Sequence, residues 1–129
     1  MDPAMPVPNH AALEFLLTRR SRPAKTLTGP VPDRAAVQKM LTAAARSPDH
    51  GKLEPWRFIV LEKTALRRLA SEVALRGAAL ALSAEQVAKA EAQYASADLA
   101  VVVVSAPVQS EKVPLIEQVY SAGAVCLAL

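Results

Sequence analysis

The chain has 129 residues, an apolar fraction of 52%, a charged fraction of 21% and four glycines. This balance is typical of a single globular domain and excludes an intrinsically disordered chain. The net charge of +3 is mild and aromatic residues make up only 4%. A nucleic-acid partner is therefore disfavoured, and a small anion such as a cofactor phosphate fits better. The single cysteine, Cys126, excludes an internal disulfide and, among apolar neighbours, predicts a buried, inert thiol.

No targeting or membrane segment is evident. The first ten residues lack the basic and apolar regions of a signal peptide. The longest apolar run, Leu99 to Ala106, is far shorter than the roughly 20 residues that cross a bilayer. Together with the low cysteine content, these features predict a cytoplasmic protein without a membrane partner.

The N-terminal part of the chain predicts a lead-in followed by two helices. Residues 1–8 contain three prolines and are expected to form a flexible lead-in. Asn9 is the predicted N-cap of a helix that extends to Arg19. Asp33 is the predicted N-cap of a second helix, which ends near Arg46.

Two stretches rich in β-formers predict strands, from Trp56 to Glu62 and from Leu99 to Ser105. The second stretch is nearly pure valine, which predicts a strand covered on both faces, inside a mixed or parallel sheet. Between the strands we expect two helices. Thr64 is the predicted cap of the first, and Ser83 with Gln86 forms a capping box for the second.

A last helix is predicted from Leu115, and after Val119 it is apolar on nearly every face. It has neither a glycine cap nor a basic last turn before Leu129. An apolar helix must be buried, and two strands are too few for a stable sheet. We therefore expect residues 9–129 to form one domain that is truncated at its C-terminal end, or that another chain completes.

A cluster of cations follows the first predicted helix, in the segment TRRSRPAK from Thr18 to Lys25. Arginine carries a planar fork of donors that binds phosphate at two points, and serine adds a short donor. The segment therefore indicates an anion site. A solvated basic helix end, which the helix dipole favours, is the alternative, and on this segment alone it is the better supported one.

The connector between the second helix and the first strand, RSPDHGKLEPWRF from Arg46 to Phe58, is unusually polar. Its His50 could act as a base, a metal ligand or a hydrogen-bond donor to a cofactor. A metal site is disfavoured because no second His or Cys lies at ligand spacing, and no nucleophile elbow supports a Ser-His-Asp triad. An equally weighted alternative is a structural loop in which Asp49 caps a turn while Trp56 and Phe58 fill the core.

Three segments, in the right order, resemble the nitroreductase family of flavin-dependent NAD(P)H oxidoreductases. LEFLLTRRSRPA is similar to the family's opening helix with its Arg-Arg-Ser turn. AAARSPDHGKLEPWRFIVL resembles the second helix, the connector and the first long strand. EKVPLIEQVYSAGAVCLAL is similar to the segment in which a Glu-Gln pair, here Glu117 and Gln118, begins the long central helix. The resemblance covers essentially the whole chain after residue 9.

This resemblance implies an α+β fold in which helices sandwich a mixed β-sheet (α-β-α), assembled as an intimate homodimer with FMN at its interface. It implies that Arg19, Arg20 and Ser21 hold the flavin phosphate and ribityl chain in one subunit. It also implies that Arg46 and His50 reach the same flavin from the other subunit.

The resemblance further implies an enzyme whose chemistry belongs to the flavin. NADH or NADPH would deliver a hydride and leave, and a nitroaromatic, quinone or similar flat acceptor would then take the electrons, in a ping-pong sequence without a catalytic side chain. Two alternatives stay open. One is a truncated or degenerate relative that binds flavin or another anion without turnover. The other, supported only by the basic cluster, is a binder of nucleic acid or an anionic surface.

Overall fold

A computed structural model describes residues 7–129, so most of the predicted lead-in lies outside the described residues. The elements follow in the order α1 (His10–Thr18), α2 (Arg34–Ala44), β1 (Trp56–Glu62), α3 (Lys63–Ala79), α4 (Ala84–Ala95), β2 (Leu99–Ser105) and α5 (Leu115–Ala128). Short 3-10 turns lie at Ala24–Thr26 and His50–Lys52. The predicted order of helices and strands is confirmed.

Side chains cap three of the helices as the sequence predicts. Asn9 and Asp33 each accept the backbone N–H three residues later, at 3.0 and 2.8 Å, and so begin α1 and α2. Ser83 and Gln86 bond to each other's backbone N–H in a reciprocal capping box at the start of α4. These caps satisfy N–H groups that would otherwise lack a partner within the helix.

Thr64 does not cap α3, and that prediction is wrong. The helix begins at Lys63, and Glu62 occupies the N-cap position in an extended conformation without a side-chain cap. Because β1 also ends at Glu62, the strand passes directly into the helix. Thr64 therefore lies inside the first helical turn.

The strands β1 and β2 pair in the antiparallel sense, with Phe58 opposite Val103. Trp56 and these two residues share one face of the sheet, where they pack around Ala44 of α2 and Val125 of α5. Both Ala44 and Val125 are fully buried. The packing of Trp56 and Phe58 in the core agrees with the structural alternative for the connector, and α2 with α5 covers this face.

The opposite face of the sheet is more open than predicted. Val102 is 38% exposed, its partner on β1, Ile59, is exposed, and so is Val104. No described element buries these side chains. The prediction that both faces of the valine-rich strand are covered is therefore wrong for the described residues. Helices packed on a sheet agree with the predicted α+β class. The mixed sheet stays a prediction, because the described strand pair is antiparallel.

Cys126 is exposed, so the prediction of a buried thiol is wrong. In α5 the inward positions belong to Gln118, Ala122 and Val125. A helix turns by about 100° per residue, which carries Cys126 away from the core that Val125 enters. Neither α5 nor any other helix within residues 7–129 combines the length and apolar character needed to cross a membrane.

Helices α3 and α4 meet closely at Gly77. A Cβ atom placed there would lie 2.6 Å from Cγ2 of Val87. We expect Gly77→Ala to lower the free energy of unfolding by roughly 1–2 kcal/mol, because the added methyl group forces the helices apart. Urea denaturation measures the change. Val87→Ala removes the obstructing methyl groups, so the double variant should lose less than the sum of the two single variants. Simple additivity would contradict this contact.

Candidate functional site

The connector before β1 has an unusual backbone conformation. Gly51, Lys52 and Glu54 have φ angles of 78°, 52° and 47°. Positive φ is unfavourable for residues with a Cβ, so Lys52 and Glu54 are held there by their surroundings. Asp49 helps, because its Oδ2 accepts the Glu54 N–H at 2.7 Å, and Pro55 is fully buried beside it. Asp49 therefore bonds to the backbone of the connector, but it makes no side-chain cap to the 3-10 turn His50–Lys52 itself. Backbone outliers of this kind are typical of functional sites.

His50 projects from this connector and contacts a residue far along the chain. Its Nδ1 lies 2.7 Å from Oε2 of Glu117, in the first turn of α5, and 67 positions separate the two residues. Sequence reasoning missed this contact, although it singled out the Glu-Gln pair to which Glu117 belongs. Arg46, the other predicted site residue of the connector, is exposed just beyond the end of α2.

Gln118, the second residue of that pair, is buried and holds the loop that follows β2. With 2% of its surface exposed, it accepts the Val108 N–H at 2.9 Å and donates to the carbonyls of Val108 and Val113. Val113 is buried in turn and packs against Gly51, where a Cβ would lie 3.3 Å from its Cγ2. The first turn of α5 therefore supports the connector at two points.

The other predicted site residues, Arg19, Arg20 and Ser21, are exposed immediately after α1. Nη2 of Arg19 donates to Oγ of Ser21 at 3.3 Å. Nη1 of Arg20 donates to the carbonyl oxygens of Arg19, at 2.9 Å, and Leu17, at 3.5 Å. Arg20 thus donates hydrogen bonds to carbonyl groups at the C-terminal end of α1, as the alternative of a basic helix end predicts. Arg19 and Ser21 form a pair of polar side chains open to solvent.

By their position in the chain, the predicted site residues fall into two groups, and all five side chains are exposed. Arg19, Arg20 and Ser21 form one group at the end of α1. Arg46 and His50 form the other in the connector. Among residues 7–129, the polar contacts of Arg19 and Arg20 stay within their own turn, and that of His50 is with Glu117. Within the described residues, no hydrogen bond joins the two groups, and both present exposed polar side chains.

The arrangement of helices on a sheet, with a polar connector before the first strand, fits a nitroreductase-like α+β fold. The sequence model of the Nitroreductase family matches residues 16–129, so the chain belongs to the nitroreductase family. The matched segment includes all five candidate site residues. The resemblance seen in the sequence is thereby confirmed.

Two relatives align with nearly the whole chain. A Haemophilus influenzae protein named "Putative NAD(P)H nitroreductase" is 39% identical over 121 residues, which cover 92% of this chain and 64% of that protein. An Escherichia coli K12 protein named "Putative NAD(P)H nitroreductase YdjA" is 38% identical over 119 residues, covering 92% and 63%. The chain therefore spans slightly less than two thirds of the length of these relatives.

Proposed function

We propose that the protein is an FMN-dependent oxidoreductase that passes a hydride from NAD(P)H to a nitroaromatic, a quinone or a similar flat acceptor. The observation that carries this proposal is the family match over residues 16–129, which includes both groups of candidate site residues. The names of the two relatives, which mention NAD(P)H and nitroreductase, support it. A cytoplasmic location stays a prediction from the composition.

The side chains available in the two groups suit a phosphorylated flavin. A phosphate presents several acceptor oxygens, and guanidinium groups bind such oxygens in pairs. Arg19 and Ser21 are exposed side by side, so their donors are accessible to an anion from solvent. No Gly-rich phosphate loop is present in the sequence, and side-chain donors must therefore hold the phosphate.

Bound FMN would supply the redox chemistry, accepting a hydride from NAD(P)H and giving it to the acceptor in a ping-pong sequence. The residues of this chain would bind and orient the cofactor. Arg19, Arg20 and Ser21 would hold the phosphate and the ribityl chain. Arg46 would place positive charge at the flavin from a second subunit, and His50 would contact the same flavin through its imidazole ring.

We further propose that the chain forms a homodimer through α5. This helix carries an apolar stripe that is exposed in the single chain. The stripe consists of Ile116, Val119, Tyr120, Gly123 and Leu127. Residues at this spacing lie on one face of a helix, and monomeric proteins rarely expose large contiguous apolar patches. At Gly123 a Cβ would meet nothing within 4 Å, so the middle of the stripe has room for a second helix to approach.

If the chain dimerises through the stripe, a charged side chain placed in it should change the oligomeric state. Tyr120→Glu is expected to convert the dimer into a monomer, because an unpaired carboxylate would be buried at the interface. Sedimentation of the full-length protein measures the change. Leu75→Glu on α3 is the matched control, since Leu75 and Tyr120 are 68% and 69% exposed in the single chain. Dissociation of both variants, or of neither, would contradict an interface at the stripe.

The proposed activity is tested on purified full-length protein. We expect flavin absorbance stoichiometric with the chain and oxidation of NADH or NADPH when a nitroaromatic is added. A colourless protein that takes up no FMN on titration contradicts the proposal. Stable FMN binding without NAD(P)H oxidation would instead support the alternative of a flavin-binding module without turnover.

A further inference from the structure

The contact between His50 and Glu117 is not explained by stability. Their side chains are 62% and 44% exposed, and ion pairs at such positions contribute only about 0–1 kcal/mol. Neither side chain belongs to the buried core. What the contact does determine is the orientation of the imidazole ring and the location of its hydrogen.

An ionised carboxylate can only accept a hydrogen bond. At the 2.7 Å separation of Nδ1 from Oε2, the hydrogen must therefore reside on Nδ1 of His50. Glu117 bonds to Nδ1 and not to the other ring nitrogen, Nε2. Which nitrogen of a histidine is protonated is commonly set by the hydrogen bond that the other one makes. Because Glu117 occupies Nδ1, a ligand of His50 would bind at Nε2.

The backbone around this pair is also fixed. His50 is followed by Gly51 at a φ of 78°, and Val113 packs against that glycine. Gln118 holds the Val113 carbonyl through its Nε2 amide group. Two consecutive residues of α5 therefore support the connector. Glu117 bonds to the imidazole of His50, and Gln118 holds Val113, which packs against the connector backbone at Gly51.

We infer that Glu117 is a positioning residue of the flavin site: it keeps the hydrogen of His50 on Nδ1 and so presents Nε2 to the cofactor. The inference rests on the proposed function, because it takes His50 to be a flavin contact. It assigns Glu117 no contact with the flavin. Its effect is exerted through the imidazole.

Three variants of the full-length protein test this inference. Glu117→Ala removes the acceptor, whereas Glu117→Gln keeps an amide oxygen that can accept the Nδ1 hydrogen. Glu111→Gln is the control, because Glu111 is an exposed glutamate of the preceding loop. The thermal unfolding midpoint of each variant verifies that it is folded.

The first readout is independent of FMN. Nitrogen NMR of protein labelled in histidine, at a pH at which the imidazole is neutral, reports which ring nitrogen carries the hydrogen. In the wild type, Glu117→Gln and Glu111→Gln we expect it on Nδ1. In Glu117→Ala we expect it to move to Nε2, the tautomer that a solvated histidine prefers. An unchanged spectrum for Glu117→Ala overturns the inference.

The second readout is FMN affinity from flavin fluorescence. Glu117→Ala should weaken binding roughly threefold to tenfold, the effect of one misplaced hydrogen bond, whereas both glutamine variants should stay near the wild type. A changed tautomer with unchanged affinity overturns the link to the flavin. Failure of the wild type to bind FMN is a different result, because it overturns the proposed function itself, and with it this role of Glu117.

Discussion

Arg19→Ala is expected to weaken FMN binding by roughly 1.5–3 kcal/mol, which is about a tenfold to 150-fold rise in Kd. The physical reason is the loss of a charge-assisted hydrogen bond from the guanidinium to the phosphate. The guanidinium of Arg19 is exposed, and among residues 7–129 its hydrogen bond is to the hydroxyl of Ser21, so its removal should leave the fold intact. Fluorescence titration of the apoprotein measures the Kd.

A neighbouring arginine and a second ligand make this test specific. Arg22 is an exposed cation in the same loop and is not assigned to the site, so Arg22→Ala should change the Kd by much less than Arg19→Ala. Riboflavin lacks the phosphate, and its affinity should be nearly equal in the wild type and in Arg19→Ala. Equal losses for FMN and riboflavin would show that Arg19 does not bind the phosphate.

Gln118→Met is expected to lower the free energy of unfolding by roughly 2–4 kcal/mol. Methionine has a similar length but cannot replace the three hydrogen bonds of the amide, to the N–H and carbonyl of Val108 and to the carbonyl of Val113. Each backbone group left without a partner in a buried or partly buried position costs about 1–3 kcal/mol, reduced where water can reach it.

Urea denaturation of the full-length protein measures this loss. Gln93→Met is the matched control, since Gln93 is an exposed glutamine of α4 and should shift stability by less than about 0.5 kcal/mol. An equal effect of both substitutions would mean that the amide of Gln118 does not hold the loop. The connector should also loosen in Gln118→Met, because Val113 packs against Gly51.

Local patterns predicted most of the secondary structure. The strands match the runs of β-branched and aromatic residues, and the caps at Asn9, Asp33 and Ser83 depend on residues only three positions away. The wrong predictions concern which side chains are exposed and which elements adjoin one another. Thr64 has the chemistry of a cap, but β1 runs straight into α3. Cys126 has apolar neighbours in sequence, and the helix turns it outward.

The candidate site was harder to predict than the fold. The resemblance supplied Arg19, Arg20, Ser21, Arg46 and His50, and the structure shows that all five are exposed. Whether both groups meet one flavin depends on a second copy of the chain, and no pattern in a single sequence measures that distance. The contact of His50 with Glu117 spans 67 positions. A pairing at such separation follows from how α5 packs on the sheet, which local periodicity does not encode.

In the loop between β2 and α5, the residue that fixes the backbone differs from the residues that form the exposed surface. Its backbone is held from within by the amide of Gln118, whereas the side chains of Gln109 and Glu111 face outward. Mutational tolerance should follow the same division. Positions 109 and 111 are therefore suited to a randomised library, in which the loop presents new chemistry while its course is preserved.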